Sequence, residues 1–397
     1  MGGSFIKLKI KGRQDEFLTA SATKDFFTKA YENHHNFAVE QIKTYFIEDV
    51  NFGKKITLTF PNRGDLLNKL YFCFKLPTMT HTSGSYAGWT NNIGHAIIDY
   101  IDLEIGTRLI SRYYGMYMDI WEELTSENQY ENIMLGKYGN PEQLETSATS
   151  ATEYIVPLPF WFCKNLQSSL PLMSMIYSQV KITIQLKQFS ECIIYDGTTP
   201  PNTVKISDSY ILADYIFLDE SYKSRVKSKK FHMLIEQIQD KDSQGESFTG
   251  TFKTNLPFNH PVKEILFCFI EEDSLQNNDW FNYSKRNTIV STKVESIMKN
   301  AKLIVEGKDY TELKDEIVFR LVNDHRNKTD KGIYTIPFCI NPETWEPSGS
   351  LNFSKIDDVE LYGNIITPTP LHRLYIFARN HNWLIIENDL VSLMYMT

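Results

Sequence analysis

Cysteine is scarce and follows no pairing pattern. The five residues, Cys73, Cys163, Cys192, Cys268 and Cys339, are odd in number and widely separated, and no CxxC pair exists. That spacing supports neither a disulfide framework nor a zinc site, and it fits a reducing compartment. Long apolar runs are missing too, since no stretch approaches the roughly 18 residues that span a bilayer. The opening MGGSFIKLKIKG lacks the apolar core of a signal peptide, so none is expected. Gly2 invites myristoylation, but Ile6 stands where that pattern needs Ser or Thr. Positive charge is not in excess. A formal net charge of −8 argues against a general nucleic-acid coat, which needs clustered Lys and Arg to neutralise phosphates.

Signatures of catalysis are equally thin. No GxxxxGK phosphate loop, GxSxG elbow or HEXXH pair occurs. Ser21 and Lys24 fit SxxK without any companion motif, and a Ser capping a helical turn explains them. His34 and His35 are adjacent, so in an extended chain they point to opposite faces and cannot share a metal. The acidic runs Glu271-Glu272-Asp273 and Asp357-Asp358 lack the D-x-D-x-D-G register of a calcium loop and read as loop solvation. Arg63-Gly64-Asp65 sits between two strand-like runs and reads as a tight turn. The sequons at Asn282, Asn327 and Asn352 read as chance matches without a secretory signal. The expectation is no catalytic, cofactor-binding or metal site, and no cofactor.

What the chain has is a loose repeat of itself, about 195 to 200 residues on. LYFCFKLP (Leu70 to Pro77) returns as ILFCFIEE, IDLEIGTRLISRY (Ile101 to Tyr113) as AKLIVEGKDYTEL, and EYIVPLPF (Glu153 to Phe160) as GIYTIPFC. Cys73 thus pairs with Cys268, Gly106 with Gly307 and Pro157 with Pro337. At 397 residues the chain exceeds what one core usually supports, so two domains are expected. The 25 Phe and 22 Tyr suit strands that bury large side chains between sheets. Short β-branched or aromatic runs, such as KKITLTF, QVKITIQL and DYIFLDE, are bounded by Gly, Pro, Asn or Asp and predict β-sandwiches.

Two segments depart from that pattern. Tyr113, Met116, Tyr117, Ile120, Trp121 and Leu124 fall on one helical stripe, which predicts a helix packed on the first domain. It belongs to an insertion of about 20 residues, because Gly106 to Pro157 is 51 positions and Gly307 to Pro337 only 30. The seam is expected near Ser221 to Phe231. There Lys223, Arg225, Lys227 and Lys229 would share a face if extended, as an edge-protecting linker or as a contact to an acidic partner.

Several blocks, taken in order, resemble the major capsid proteins of nucleocytoplasmic large DNA viruses. They are Asn36-Phe37-Ala38 after FFTKAYENH, NRGDLL (Asn62 to Leu67), and Trp89-Thr90-Asn91 with IGHA and then IDLEIG. VPLPFWFCKN (Val156 to Asn165) with QVKI, PSGSLNFSKID (Pro347 to Asp357) and YIFARNHNWLII (Tyr375 to Ile386) follow. The resemblance runs from about Phe26 to the C-terminus. Glu32-Asn33 replace two arginines that the family often carries, and the last residues are not Gly-rich.

The resemblance implies an all-β fold of two consecutive eight-stranded jelly rolls with small helical insertions. It divides the chain into an arm at 1–25, a first jelly roll at 26–218, a linker at 219–230 and a second jelly roll at 231–397. It implies no enzymatic activity. The function implied is a structural major capsid protein, forming pseudo-hexagonal homotrimeric capsomers that tile an icosahedral shell. Partners would be neighbouring capsomers, penton and minor capsid or cement proteins. An internal membrane would lie nearby without direct contact to nucleic acid, and assembly would take place in a cytoplasmic virus factory. The residues alone leave two alternatives open: a jelly-roll carbohydrate-binding protein or glycan-active enzyme, and a minor capsid-like or scaffold protein.

Overall fold

Cys73 lies in a strand whose alternation explains its conformation. In KLYFCFKL, Leu70, Phe72, Phe74 and Leu76 point to one face and are buried, while Lys69, Tyr71 and Lys75 on the other face stay accessible. A period of two with a single apolar face is the pattern of a half-buried strand. The computed structural model describes Ser21 and residues 34–395, apart from 81–82, 85, 127–128, 139–140, 228–229, 286–294, 323–324, 326 and 367–370. The expected arm (Ser21 excepted), the block at 26–33 and Lys229 therefore lie outside the described residues.

The first half contains β1 (Phe37–Tyr45), β2 (Lys55–Thr59), β3 (Leu66–Leu76), β4 (Ala87–Trp89), β5 (Ile98–Ile105), β6 (Arg108–Tyr114), β7 (Thr152–Pro157), β8 (Val180–Leu186), β9 (Ile193–Tyr195) and β10 (Ser207–Leu218). The second contains β11 (Phe231–Asp240), β12 (Glu246–Phe248), β13 (Thr251–Asn255), β14 (Pro261–Glu271), β15 (Met298–Val305), β16 (Lys308–Asp309), β17 (Lys314–Asp315), β18 (Ile333–Pro337), β19 (Leu351–Asn352), β20 (Val359–Ile365), β21 (His372–Glu387) and β22 (Leu390–Leu393). Sheets run β1-β10-β3-β7 and β2-β8-β5-β6 in the first half. In the second they run β11-β21-β14-β18 and β13-β20-β15-β16, with β17 beside β15. The same order appears twice and each pairing is antiparallel, so the chain is two jelly rolls in tandem. The turn after β5 and its counterpart after β15 both use a glycine at positive φ, Gly106 at 64° and Gly307 at 70°.

Helices are short and fill connections: α1 (Ile93–Ala96), α2 (Gly115–Thr125), α3 (Gln129–Leu135), α4 (Pro141–Ala148), α5 (Trp161–Lys164), α6 (Glu220–Lys227), α7 (Glu272–Gln276) and α8 (Glu316–Leu321). Among the described residues, the link from β6 to β7 thus carries α2, α3 and α4, whereas the link from β17 to β18 carries α8 alone.

Three expectations need correction. Cys73 pairs with Ile155 and Cys268 with Ile333, so the register makes Pro159 the counterpart of Pro337, and Pro157 that of Thr335. Sequence similarity had slipped by one pleat, which preserves the face and so leaves hydropathy unchanged. The predicted helix begins at Gly115, because Tyr113 belongs to β6 and pairs with Ile101. The seam is not extended, because α6 is helical, so the strand-face reading of this segment does not hold. Lys223 lies 3.2 Å from Asp65.

The apolar interior forms two clusters. One fills the second jelly roll, around Phe252, Phe267, Phe269, Leu303 and Leu361. The other fills the first and continues into Leu266, Cys268, Ile270, Ile333, Tyr375 and Phe377, which form the outer face of the β11-β21-β14-β18 sheet. Here β14 is buried on both sides, unlike β3.

Candidate assembly interface

The contact between the jelly rolls is built on α2. Gly115 joins β6 to this helix where backbones meet: a Cβ there would lie 2.3 Å from the carbonyl oxygen of His95 and 2.4 Å from that of Ile98. The helix carries Tyr117 and Trp121 across to the second jelly roll. Tyr117 meets Phe377 edge to face at 5.7 Å, and Trp121 meets His325 in the same manner at 6.0 Å. The stripe expected to pack on the first domain therefore also seals the second. The reason is that Phe377, Tyr375, Leu266 and Cys268 offer an apolar sheet face with no cover of their own.

Beside this contact lies a buried ionic cluster. Glu236 of β11 lies 2.5 Å from Lys164 of α5, 2.5 Å from Lys263 and 2.9 Å from Arg379. Arg379 also pairs with Glu264, whose other oxygen lies 2.7 Å from His325 Nε2. The Arg379 guanidinium lies 3.9 Å from the centre of the Trp121 ring, and Lys164 Nζ lies 4.4 Å from it. Burial alone would raise the Glu236 carboxyl, yet Lys164, Arg379 and Lys263 hold it well below the usual range. Against the same burial, Arg379 and His325 bring Glu264 down to about 2. Burial and then repulsion from Arg379 lower the Lys164 ammonium to about 8. Buried charges of this kind persist only when paired on all sides.

A second buried polar group joins the rolls. Asp119 accepts from Asn92 at 2.7 Å and from Tyr283 of the second jelly roll at 2.7 Å, and Asn92 lies 3.0 Å from His95 Nδ1. Among the described residues, His95, Asp119 and Glu122 are close enough together to hold a cation. Their own partners already occupy this group, since Lys137 bonds Glu122 at 3.0 Å and Asp119 has two donors. Burial pushes Glu122 up to about 7 and His95 down to about 4, so each leans toward its neutral form.

Among the described residues, those singled out in the sequence are not gathered into a site. Glu272 is closed in a two-point pair with Arg373 at 2.6 and 2.7 Å, while Asp357 and Asp358 donate backbone N–H groups to Glu306. Asp65 accepts from the Leu218 N–H at 2.8 Å, and a Cβ at Gly64 would press on Tyr215 at 2.9 Å, which accounts for the RGD turn. Asn282 is buried and donates to Asp279, and Asn352 caps a turn at Ser354. Burial raises the thiols of Cys73, to about 11, and of Cys192, to about 12, and holds Cys268 well above its ordinary range. A glycan-active reading would need convergent free carboxylates in a cleft. The cleft of about 290 Å³ between the rolls is lined by Asp99, Glu191 and Glu272, but Glu272 is paired with Arg373, Glu191 accepts from the Gln188 N–H, and Lys187 is set 3.5 Å over the Trp280 ring. Sequence reasoning missed Glu236, Glu264 and Arg379 altogether. The available signal was a charged residue in the middle of an otherwise apolar strand.

Two jelly rolls fused in tandem and bonded through a buried contact define a double jelly-roll protein of the viral capsid type. Two sequence-family models match in succession, "Major capsid protein N-terminus" over residues 25–219 and "Large eukaryotic DNA virus major capsid protein" over residues 223–392. The major capsid protein of Pyramimonas orientalis virus is 27% identical over the whole of both chains, and that of Phaeocystis pouchetii virus 26% identical over the whole of both. In fold, the chain is similar to a chain of a quasi-atomic model of the PBCV-1 virus capsid. The TM-score is 0.79 at 23% identity, covering 94% of this chain and all of the other. The chain belongs to the major capsid proteins of large eukaryotic DNA viruses. It is a structural protein of the virion capsid and not an enzyme.

Proposed function

We propose that the protein forms a homotrimer of pseudo-hexagonal outline, the capsomer that tiles an icosahedral shell. The observation that supports this is the identical strand order of the two jelly rolls. Two similar domains per chain and three chains give six similar edges, and a threefold ring of head-to-tail contacts closes on itself without forming fibres. In this reading 1–25 is an arm, 26–218 the first roll, 219–230 the linker and 231–397 the second roll. Neighbouring capsomers, penton and minor proteins would be its partners, and assembly would take place in the host cytoplasm. No catalytic, cofactor or metal site takes part. Sedimentation of the purified chain tests the reading: three times 46.2 kDa is expected, and a folded particle of 46.2 kDa at micromolar concentration contradicts it.

A further inference from the structure

The cleft between the jelly rolls contains two opposite charges that the protein itself does not pair. It measures about 290 Å³ and draws its walls from both rolls. Glu272 and Arg373 neutralise each other in their two-point pair, and Arg373 also donates to the Gln244 carbonyl at 3.2 Å. Glu191 is engaged by its own turn, accepting the Gln188 N–H at 2.8 Å. Two charged side chains remain. Among the described residues, the Lys187 ammonium meets the Trp280 ring and no hydrogen-bond acceptor, and the Asp99 carboxylate, at the solvent-accessible mouth, has no donor. Burial pushes the Asp99 carboxyl up and the Lys187 ammonium down, so the cleft opposes both charged forms.

The repeat shows that the fold does not require this pair. Along β5 and β8, Ile98 pairs with Leu186 and Tyr100 with Gln185, so Asp99 is the extra residue of a β-bulge. β15 has the same bulge against β20, between the pairs Met298 with Ile365 and Asn300 with Asn364, and its extra residue is Lys299. The Lys187 N–H donates to the Ile97 carbonyl, as the Ile366 N–H does to that of Ile297. The backbone is thus repeated, while Asp99 and Lys187 stand where the second roll has Lys299 and Ile366. A charge pair that the architecture does not need, placed at a cleft, marks a recognition site.

The cleft is also preformed. Asn278, at a φ of 59°, donates to the Ser190 and Ile193 carbonyls at 2.7 and 2.8 Å, and Trp280 Nε1 donates to the Glu191 carbonyl at 2.8 Å. These bonds tie the second roll to the first and fix the ring that Lys187 lies over. Ile98, Leu275, Tyr375 and Phe377 give the cleft an apolar wall.

We propose that this cleft binds a small zwitterion with an apolar body, an apolar α-amino acid being the simplest. Its carboxylate meets Lys187, its ammonium meets Asp99, and its side chain lies on the apolar wall. A purely anionic ligand would satisfy Lys187 and be repelled by Asp99, and a purely cationic one the reverse. A ligand with both charges satisfies both. The size suits a small molecule, because ligand pockets run from about 300 to 1,000 Å³. One chain supplies every group, so the proposal is independent of the capsomer.

Calorimetric titration of the purified full chain with L-phenylalanine and L-leucine tests it. At least one of the two should bind once per chain. The amide of that amino acid lacks the carboxylate and its N-acetyl form lacks the ammonium, and each should bind at least about tenfold more weakly. Lys187→Met should abolish the preference over the amide, and Asp99→Asn the preference over the N-acetyl form. Asp99 is exposed, so Asp99→Asn should keep the unfolding midpoint; if Lys187→Met fails to fold, Lys187→Gln takes its role. No saturable binding of either amino acid at millimolar concentration would overturn the proposal. So would binding that the amide and the N-acetyl form match, or that survives both variants unchanged.

Discussion

Arg379 of the second jelly roll lies 3.9 Å from the centre of the Trp121 ring of the first, and Lys164 approaches the same ring at 4.4 Å. One indole therefore takes two cations whose carboxylate partner, Glu236, lies on the strand β11 that begins the second roll. The relative placement of the jelly rolls depends on this group, and it sets the first expectations for mutation.

Trp121→Ala should lower the unfolding midpoint. The side chain is half-buried, so the cost falls below that of a fully buried tryptophan, at about 2–4 kcal/mol with the cation–π contribution included. Trp121→Phe should restore part of the loss. An unchanged midpoint in thermal unfolding of Trp121→Ala would show that the contact adds nothing to stability.

Glu236→Gln leaves Lys164, Lys263 and Arg379 facing one another without their common carboxylate. Breaking a buried ion group by removing one member costs about 3–5 kcal/mol. Lys164→Met should cost less, because Lys164 is the more accessible partner and two cations remain on Glu236. Denaturant midpoints of the two variants check the order.

Acid should act through the same group. The folded-state carboxyls of Glu236 and Glu264 sit below their ordinary value of 4.5, Glu264 at about 2. Their contribution is therefore fully present above about pH 4.5 and lost as pH falls toward 2. With one pKa unit worth about 1.4 kcal/mol, Glu264 accounts for on the order of 3 kcal/mol. A pH series of unfolding midpoints should fall across this window, and the fall should be shallower in Glu264→Gln, which starts from a lower midpoint.

Gly115→Ala should be among the most damaging small changes. The new Cβ would meet two backbone carbonyl oxygens at 2.3 and 2.4 Å, and neither can swing aside as a side chain could. Relieving the clash must shift α2, and with it Trp121. Loss of soluble protein, or a midpoint below that of Trp121→Ala, is the expected result.

Chelation should leave the fold intact. His95, Asp119 and Glu122 are already bonded within the protein to Asn92, Tyr283 and Lys137. The unfolding midpoint should be the same with and without EDTA; a drop that calcium or zinc reverses would point to a cation at this group.

The sequence by itself determined the duplication, because the run LYFCFKLP around Cys73 returns as ILFCFIEE around Cys268. It also contained the difference between the two outer faces. Lys75 stands where Ile270 stands, a solvated position in one strand and a covered one in the other. Local alternation tells which side chains share a face, and a lysine or isoleucine tells whether that face meets water. The tertiary structure alone decided what does the covering. The α2 stripe reads as core for its own domain, since periodicity contains no information about which distant sheet a helix will meet. Glu236, Glu264, Lys263 and Arg379 read as scattered surface charge because each is paired only by residues far away in sequence. A buried charge is tolerable only after the chain has brought its counter-charges together, and that depends on the fold as a whole.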